Sequence, residues 1–310
     1  MSASPEPRTS LRRIESPTID QFAQAAEVCY TRWDYMRELD SPARFEAFQK
    51  LNVELCVLVN GGGAMQSVGY LVPSRLQIGG ETLCWHYMFQ VASRPETAGA
   101  GALLIRQAMK WYPAIFGMGI TPDAERLYKA FRWQQYEGFW RGVHPLNLSR
   151  LLKDYGDRIP QLWLRRLLRA SAGIGSFVGS QAEVMLSLGS RSTSWAPPNG
   201  KGAIIGRYLD LFTTGDVQAA DVGGAGRVLS LPAAGSLRQH AAIWRALRRQ
   251  NARFCEMLLF SEAARKRAWH LGYVPVPLQV WCWDPGGILG RAIPVLREKG
   301  FSFFDTDKVL

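Results

Sequence analysis

Val91-Ala-Ser-Arg-Pro-Glu-Thr-Ala-Gly99-Ala-Gly101-Ala102 runs straight into Leu103-Leu-Ile-Arg-Gln-Ala-Met-Lys-Trp111. The apolar stretch before it reads as a strand, and Leu104, Ile105, Ala108 and Met109 fall on one helical face. A small-residue loop therefore joins a strand end to a helix start. Backbone amides at a helix start lack intrahelical acceptors, and with the helix dipole they favour a phosphate. Glycine matters there because a Cβ would hold a diphosphate away from those amides. The loop has the character of an anion cradle, although small residues at this spacing also serve close packing.

The surrounding pattern extends the argument in both directions. Upstream, residues 10–16 read as a short strand. Helical spacing at Phe22, Ala25, Ala26 and Cys29 follows over 17–31, and a second helix is expected at 41–51. Strands are expected at 55–60, 67–72 and 82–92, separated by the Gly-rich stretches 60–63 and 78–80, as in antiparallel hairpins. Downstream comes a strand over 114–120 and then a helix from Pro122, with Ala124, Leu127, Tyr128 and Phe131 at i, i+3, i+4 and i+7.

This order, with Val91, Gly99, Gly101, Ala124, Leu127, Tyr128 and Trp133 at matching positions, resembles the core of the GNAT acyltransferase superfamily over residues 10–145. Four positions depart from that pattern: Ser93 stands for proline, Glu96 for Gln or Arg, Thr97 for the first glycine and Arg132 for glycine before the aromatic. Glu96 would oppose a diphosphate unless turned outward, and Arg94 could compensate.

The resemblance implies an α/β (α+β) fold with a mixed, mostly antiparallel central sheet flanked by helices. It also implies acetyl-CoA or a longer acyl-CoA as co-substrate, held by Val91, Ser93, Arg94, Ala98, Gly99, Ala100, Gly101 and Ala102. The amide after Val91 would hydrogen-bond the thioester carbonyl while an amine attacks directly. Tyr128 would serve the departing thiolate, against the alternative of a core aromatic. His86 is the candidate base for the amine, again against a purely structural role, with Glu81 and Asp123 as weaker candidates.

The second half repeats the order less distinctly. After a basic amphipathic stretch, strands are expected at 183–188, 203–212 and 227–231, a helix at 237–250, a strand at 254–260 and a helix from Glu262. Ala268 occupies the tyrosine position, and the preceding loop LPAAGSL keeps only Gly235. A degenerate second GNAT-like copy is the economical reading, with Trp281, Trp283 and Asp284 in a late strand as acceptor contacts or core residues. The limits so read are 1–146 for an acyl-CoA-binding domain, 147–179 for a basic helical linker and 180–310 for the degenerate copy.

At 310 residues, 47% hydrophobic and 20% charged, the chain is long enough for two cores and too apolar for disorder. No stretch approaches the roughly 18 apolar residues of a membrane span, and the N-terminus lacks a secretory core, so a cytoplasmic location is expected. Five widely spaced cysteines suggest buried thiols, and the four histidines lack metal-ligand spacing, so no metal is expected.

The net charge of +11 is spread along the chain, with local concentrations at Arg165, Arg166 and Arg169 and at Arg245, Arg248 and Arg249. It reads as solvated helix faces, with phosphate or lipid headgroups as the alternative. An N-acyltransferase acting on an amine acceptor is thus expected. A transferase using charged tRNA, one using an acidic acyl carrier protein, and a non-catalytic acyl-CoA sensor stay open. Nucleic acid is otherwise not expected as a partner, and peripheral membrane contact is allowed.

Overall fold

The computed structural model describes residues 9–33, 36–37, 40–118, 121–155, 180–181, 184–186, 193–194, 209–222, 224–230 and 234–299. The chain begins with β1 (Ser10–Ile14), α1 (Ile19–Tyr30), α2 (Pro42–Lys50), β2 (Glu54–Val59), β3 (Met65–Ile78) and β4 (Glu81–Ser93). Then come α3 (Ala100–Trp111), β5 (Ile115–Met118), α4 (Pro122–Ala130) and β6 (Gln134–Tyr136). It continues through β7 (Trp140–Pro145), α5 (Leu148–Tyr155), β8 (Thr193–Ser194), β9 (Leu211–Thr214), β10 (Val217–Val222) and β11 (Ala225–Val228). It closes with α6 (Leu237–Arg249), β12 (Phe254–Leu259), α7 (Glu262–His270), β13 (Val274–Pro277), β14 (Val280–Trp283) and α8 (Ile288–Lys299).

Two compact units result, the first from Met1–Glu137 with Leu278–Glu298, the second from Gly138–Pro277. The first holds a sheet in the order β1-β2-β3-β4-β5-β14-β6. Local chemistry fixes its elements. Thr18 and Gln21 form a capping box at α1, Ser41 caps α2 with Pro42 at its first turn, and Thr121 caps α4 ahead of Pro122. The β3–β4 hairpin turns on Gly79 and Gly80, both at positive φ (55° and 88°), where a side chain would be strained.

Period-two alternation then sends neighbouring residues to opposite faces. Tyr70, Phe89 and Phe116 face an aromatic group with Phe22, Phe45, Phe48 and Tyr87 under α1 and α2. Leu71, Met88 and Ile115 face Leu104, Ile105 and Ala108 of α3 and Tyr128 of α4.

The second unit holds a sheet in the order β13-β7-β12-β11-β10-β9-β8. Trp244 and Leu247 of α6 and Ala268 of α7 pack on Val217, Val228, Cys255, Met257 and Leu259 of the sheet. A parallel pair spanned by a helix recurs, β11 with β12 around α6, as β4 with β5 around α3. In each unit the strand inserted beside that pair comes from the other half of the sequence: β14 lies between β5 and β6, and β7 lies between β12 and β13.

Limits of 1–146 and 180–310 miss this exchange, because a strand that leaves its own repeat carries no local mark of doing so. The late strand with Trp281 and Trp283 therefore belongs to the first sheet, and Trp281 is core there, packed beside Tyr128. The strand expected at 183–188 is also corrected, since residues 184–186 are helical. The expected linker from residue 156 on, including Arg165, Arg166 and Arg169, lies outside the described residues, as do 203–208 of an expected strand. Cys29, Cys56, Cys255 and Cys282 are buried thiols, whereas Cys84 is exposed.

Candidate functional site

The site begins where β4 leaves β5. Among the described residues these parallel strands pair only through His86↔Ile115 and Tyr87↔Phe116, with the His86 N–H donating to Ala114 O at 3.0 Å. Beyond Phe116 the two diverge, and a bulge explains why. Register with β3 slips between Val68 and Tyr70, so Gln90 and Val91 together oppose Gly69, and Gln90 takes φ 48°. A Cβ on Gly69 would meet Leu104 Cδ2 at 3.0 Å and Val91 Cγ2 at 3.4 Å, so the bulge packs onto α3 only over glycine. The Arg94 N–H donates to Gln66 O (2.9 Å), which puts the 92 and 94 amides on the β3 side. By alternation, the backbone of Met88 and Val91 faces the gap, and that of Ala92, the residue after Val91, does not.

The loop after β4 is built on its own contacts. The Thr97 hydroxyl donates to Arg94 O (2.8 Å), Arg94 Nε donates to Met65 O (3.0 Å), and the Ala100 N–H to Thr97 O (3.2 Å). Gly99 is the N-cap of α3 at φ 79°, with no side-chain hydrogen bond to the helix start. Gly101 lies over β4: a Cβ there would stand 3.3 Å from Ser93 Oγ, which itself shares a 2.8 Å hydrogen bond with Ser67 Oγ. Ala98 and Gly99 are exposed and Ala102 half-buried, so the first-turn amides open to solvent, and Ala100 anchors the turn in the core. Glu96 is exposed.

The corresponding helix start in the second unit is closed. At α6, Ser236 Oγ accepts from the Gln239 N–H and Gln239 Oε1 accepts from the Ser236 N–H (2.7 Å). Of these two helix starts, α3 alone has no side-chain cap, so its amides other than that of Ala100 are left for an outside anion.

Tyr128 of α4 lies on the same face as Met88 and Ile115. Its ring stacks on Trp133 (4.1 Å, 7°), and its hydroxyl would be 3.6 Å from a Cβ on Gly117, one residue past the last β4–β5 pair. Burial pushes the phenol well above its ordinary value, so it is protonated at neutral pH.

His86 sits at the vertex of the gap, two residues and about 7 Å along β4 from Met88. Its ring lies against Tyr112 (4.2 Å), at the far end of α3 from the loop, and Nε2 is 3.5 Å from Glu54 Oε1. Glu54 also accepts from Arg13 Nε (2.8 Å) and Tyr112 Oη (2.8 Å). Burial pushes the Glu54 carboxyl up, but hydrogen bonds from His86, Arg13 and Tyr112 outweigh it and hold the carboxyl down at about 2. His86 Nδ1 is buried without a partner among the described residues.

Glu54 escapes a motif reading; its one signal is a lone carboxylate opening the otherwise apolar run Glu54-Leu-Cys-Val-Leu-Val59. Glu81 pairs with Arg291 at the hairpin end and Asp123 with Arg126 on the surface of α4. The structure thus gathers Val91, Ser93, Arg94 and the 98–102 turn at one end of the gap. Tyr128 stands over β5, and His86 at the vertex.

No family model and no curated protein matches the chain. Solved structures do. A candidate acetyltransferase from Pyrococcus horikoshii superposes with TM-score 0.53 at 10% identity, covering 89% of each chain. A GCN5-related N-acetyltransferase from Kribbella flavida gives TM-score 0.43 at 15% identity, over 88% of this chain and 71% of that one. Saccharomyces cerevisiae N-myristoyltransferase with bound myristoyl-CoA gives 0.48 at 8%, over 90% and 85%. At such identities the first likeness speaks for fold alone. The chain therefore shares its fold with that Pyrococcus horikoshii structure, and its open helix start lies in the first unit.

Proposed function

We propose that the first unit binds acyl-CoA and transfers its acyl group to an amine. The observation that carries this reading is a combination within one unit: a splayed β4–β5 pair, an uncapped helix start at its mouth, and a protonated tyrosine over β5. The amides of Gly99, Gly101 and Ala102, with the Ala100 N–H given to Thr97 O, fit a diphosphate, because Gly99 supplies no competing cap and Gly101 keeps the approach clear above Ser93. Arg94, anchored through Nε, has guanidinium N–H groups left for phosphate. When bound, acyl-CoA supplies an acyl group activated as a thioester. The Met88 and Val91 backbone lines the gap where a carbonyl would be polarised.

Tyr128 holds its proton at neutral pH and is the donor for a leaving thiolate. The amine's proton goes to His86 Nδ1, whose partner nitrogen faces Glu54. Cytoplasmic localisation belongs to this reading; among the described residues no helix is long and apolar enough to cross a membrane.

Calorimetric titration of acetyl-CoA, a long-chain acyl-CoA and free CoA into wild type and Gly101→Glu tests the reading. Micromolar binding lost in the variant is expected, and absence of binding by all three ligands overturns it. If they bind, the preferred chain length selects the donor for an amine-acceptor screen.

A further inference from the structure

One face of the second unit is used by neither its core nor the proposed chemistry. α7 and the edge strand β13 enclose an open cavity of ≈ 350 Å³ lined by Arg265, Lys266, Trp269, His270, Val274 and Pro275. Around it Trp269 is 61% exposed, Val274 52% and Val276 38%. Trp269 is the only aromatic side chain exposed among the described residues. Arg265 and Trp269, like Lys266 and His270, stand one helical turn apart, so cations and indole share a surface. Arg265 is engaged by Glu262 and lies over the Trp140 ring, whereas Lys266 and His270 are exposed.

The backbone of β13 narrows the choice of partner. It pairs with β7 through Val274↔Val143, Pro275↔Gly142, Val276↔Arg141 and Pro277↔Trp140. Proline cannot donate, so the ladder runs through Val274 and Val276, and positions 275 and 277 turn their backbone outward. This sheet edge therefore presents no outward N–H. A strand from another protein would find acceptors only and could not extend the sheet. The outward carbonyls of Pro275 and Pro277 instead accept from water, which the headgroup layer supplies and the acyl core does not, so this edge suits the membrane interface. Exposed tryptophan with valines and a cationic rim is the composition of surfaces that enter the headgroup layer, where anionic lipid attracts lysine.

We propose that the α7–β13 face docks on an anionic lipid surface, with Trp269, Val274 and Val276 entering the interface and Lys266 and His270 meeting the headgroups. Co-sedimentation of the full chain with phosphatidylcholine vesicles, with and without phosphatidylserine, tests this. Binding is expected only with phosphatidylserine, and weakens as salt is raised. Trp269→Ala combined with Lys266→Glu weakens it roughly tenfold or more. Val274→Asp does likewise, and the melting temperature of each variant reports that the unit is still folded. Absence of binding at low salt, or equal binding by folded variants, overturns the proposal. So does capture of a single-stranded RNA oligonucleotide that depends on Trp269 while vesicles stay unbound, an outcome that gives the face to nucleic acid instead.

Discussion

The Tyr128 hydroxyl approaches the backbone of β5 at Gly117 so closely that a Cβ there would touch it, at 3.6 Å. A methyl group would sit there in ordinary contact, so the phenol on α4 reaches the strand just past its last pairing with β4 with room for little more. If Tyr128 supplies the proton for the leaving group, Tyr128→Phe keeps the stack on Trp133 and removes only the donor. We expect kcat to fall about 10²-fold with unchanged CoA affinity. Gly117→Val displaces the ring and should reproduce the kcat loss with a lower melting temperature. Full kcat in Tyr128→Phe would reduce the residue to a core aromatic.

The two equivalent helix starts make a second experiment. α6 satisfies its own amides through Ser236 and Gln239, whereas α3 begins at Gly99 with none. Gly99→Asp places a carboxylate at the N-cap of α3, where it competes with a diphosphate; CoA affinity should drop at least tenfold. Ser236→Ala should cost the fold about 1 kcal/mol and leave CoA binding unchanged. Calorimetry and denaturant midpoints separate the two effects.

What the sequence revealed and what it hid divide along a physical line. Patterns closed within a few residues were legible: the amphipathic face of α3, the Gly79–Gly80 turn, the small-residue start of α3 at Gly99 and the α4 stripe that includes Tyr128. Features made by distant segments were not. Trp281 reads as part of the second repeat, yet it sits in the first sheet opposite Gly117. Glu54 and His86, 32 positions apart in sequence, meet because β3 lies between their strands and both face Tyr112. The bulge at Gln90 was invisible as well, since nothing in a glutamine announces a positive φ.

Arg132 carries a cost the repeat exposes. After α4 it takes φ 60°, while the Trp133 N–H donates to Tyr128 O (2.9 Å); after α7, Gly272 takes φ 81° and Tyr273 donates to Ala268 O (2.9 Å). Both are left-handed helix ends, where glycine is at ease and arginine is not. Arg132→Gly should stabilise the first unit by about 0.5–1 kcal/mol, less than the full relief because glycine also loosens the unfolded chain. A raised denaturant midpoint at constant slope is the expected reading.

Acid should loosen the second unit before the first. His240 Nε2 faces Ala234 O (3.1 Å) and Nδ1 faces the Tyr273 hydroxyl (3.0 Å), which also accepts from Trp244 Nε1 (2.9 Å). With the proton on Nε2, Tyr273 donates to Nδ1 and every group is satisfied; a second proton would leave that hydroxyl facing a donor. Burial holds the imidazole down at about 4, against an ordinary 6.5. The unfolded chain therefore binds more protons between those values, and stability falls as pH drops from 6.5 towards 4, by on the order of 3 kcal/mol. Glu54 of the first unit is depressed from 4.5 to about 2, so its contribution is lost only below pH 4.5. Hydrogen exchange across a pH series should show α6 and α7 amides opening first, with β2 and β4 protected until lower pH. His240→Leu should flatten the upper window alone, and simultaneous opening of all four elements in wild type would show that His240 does not set the acid limit.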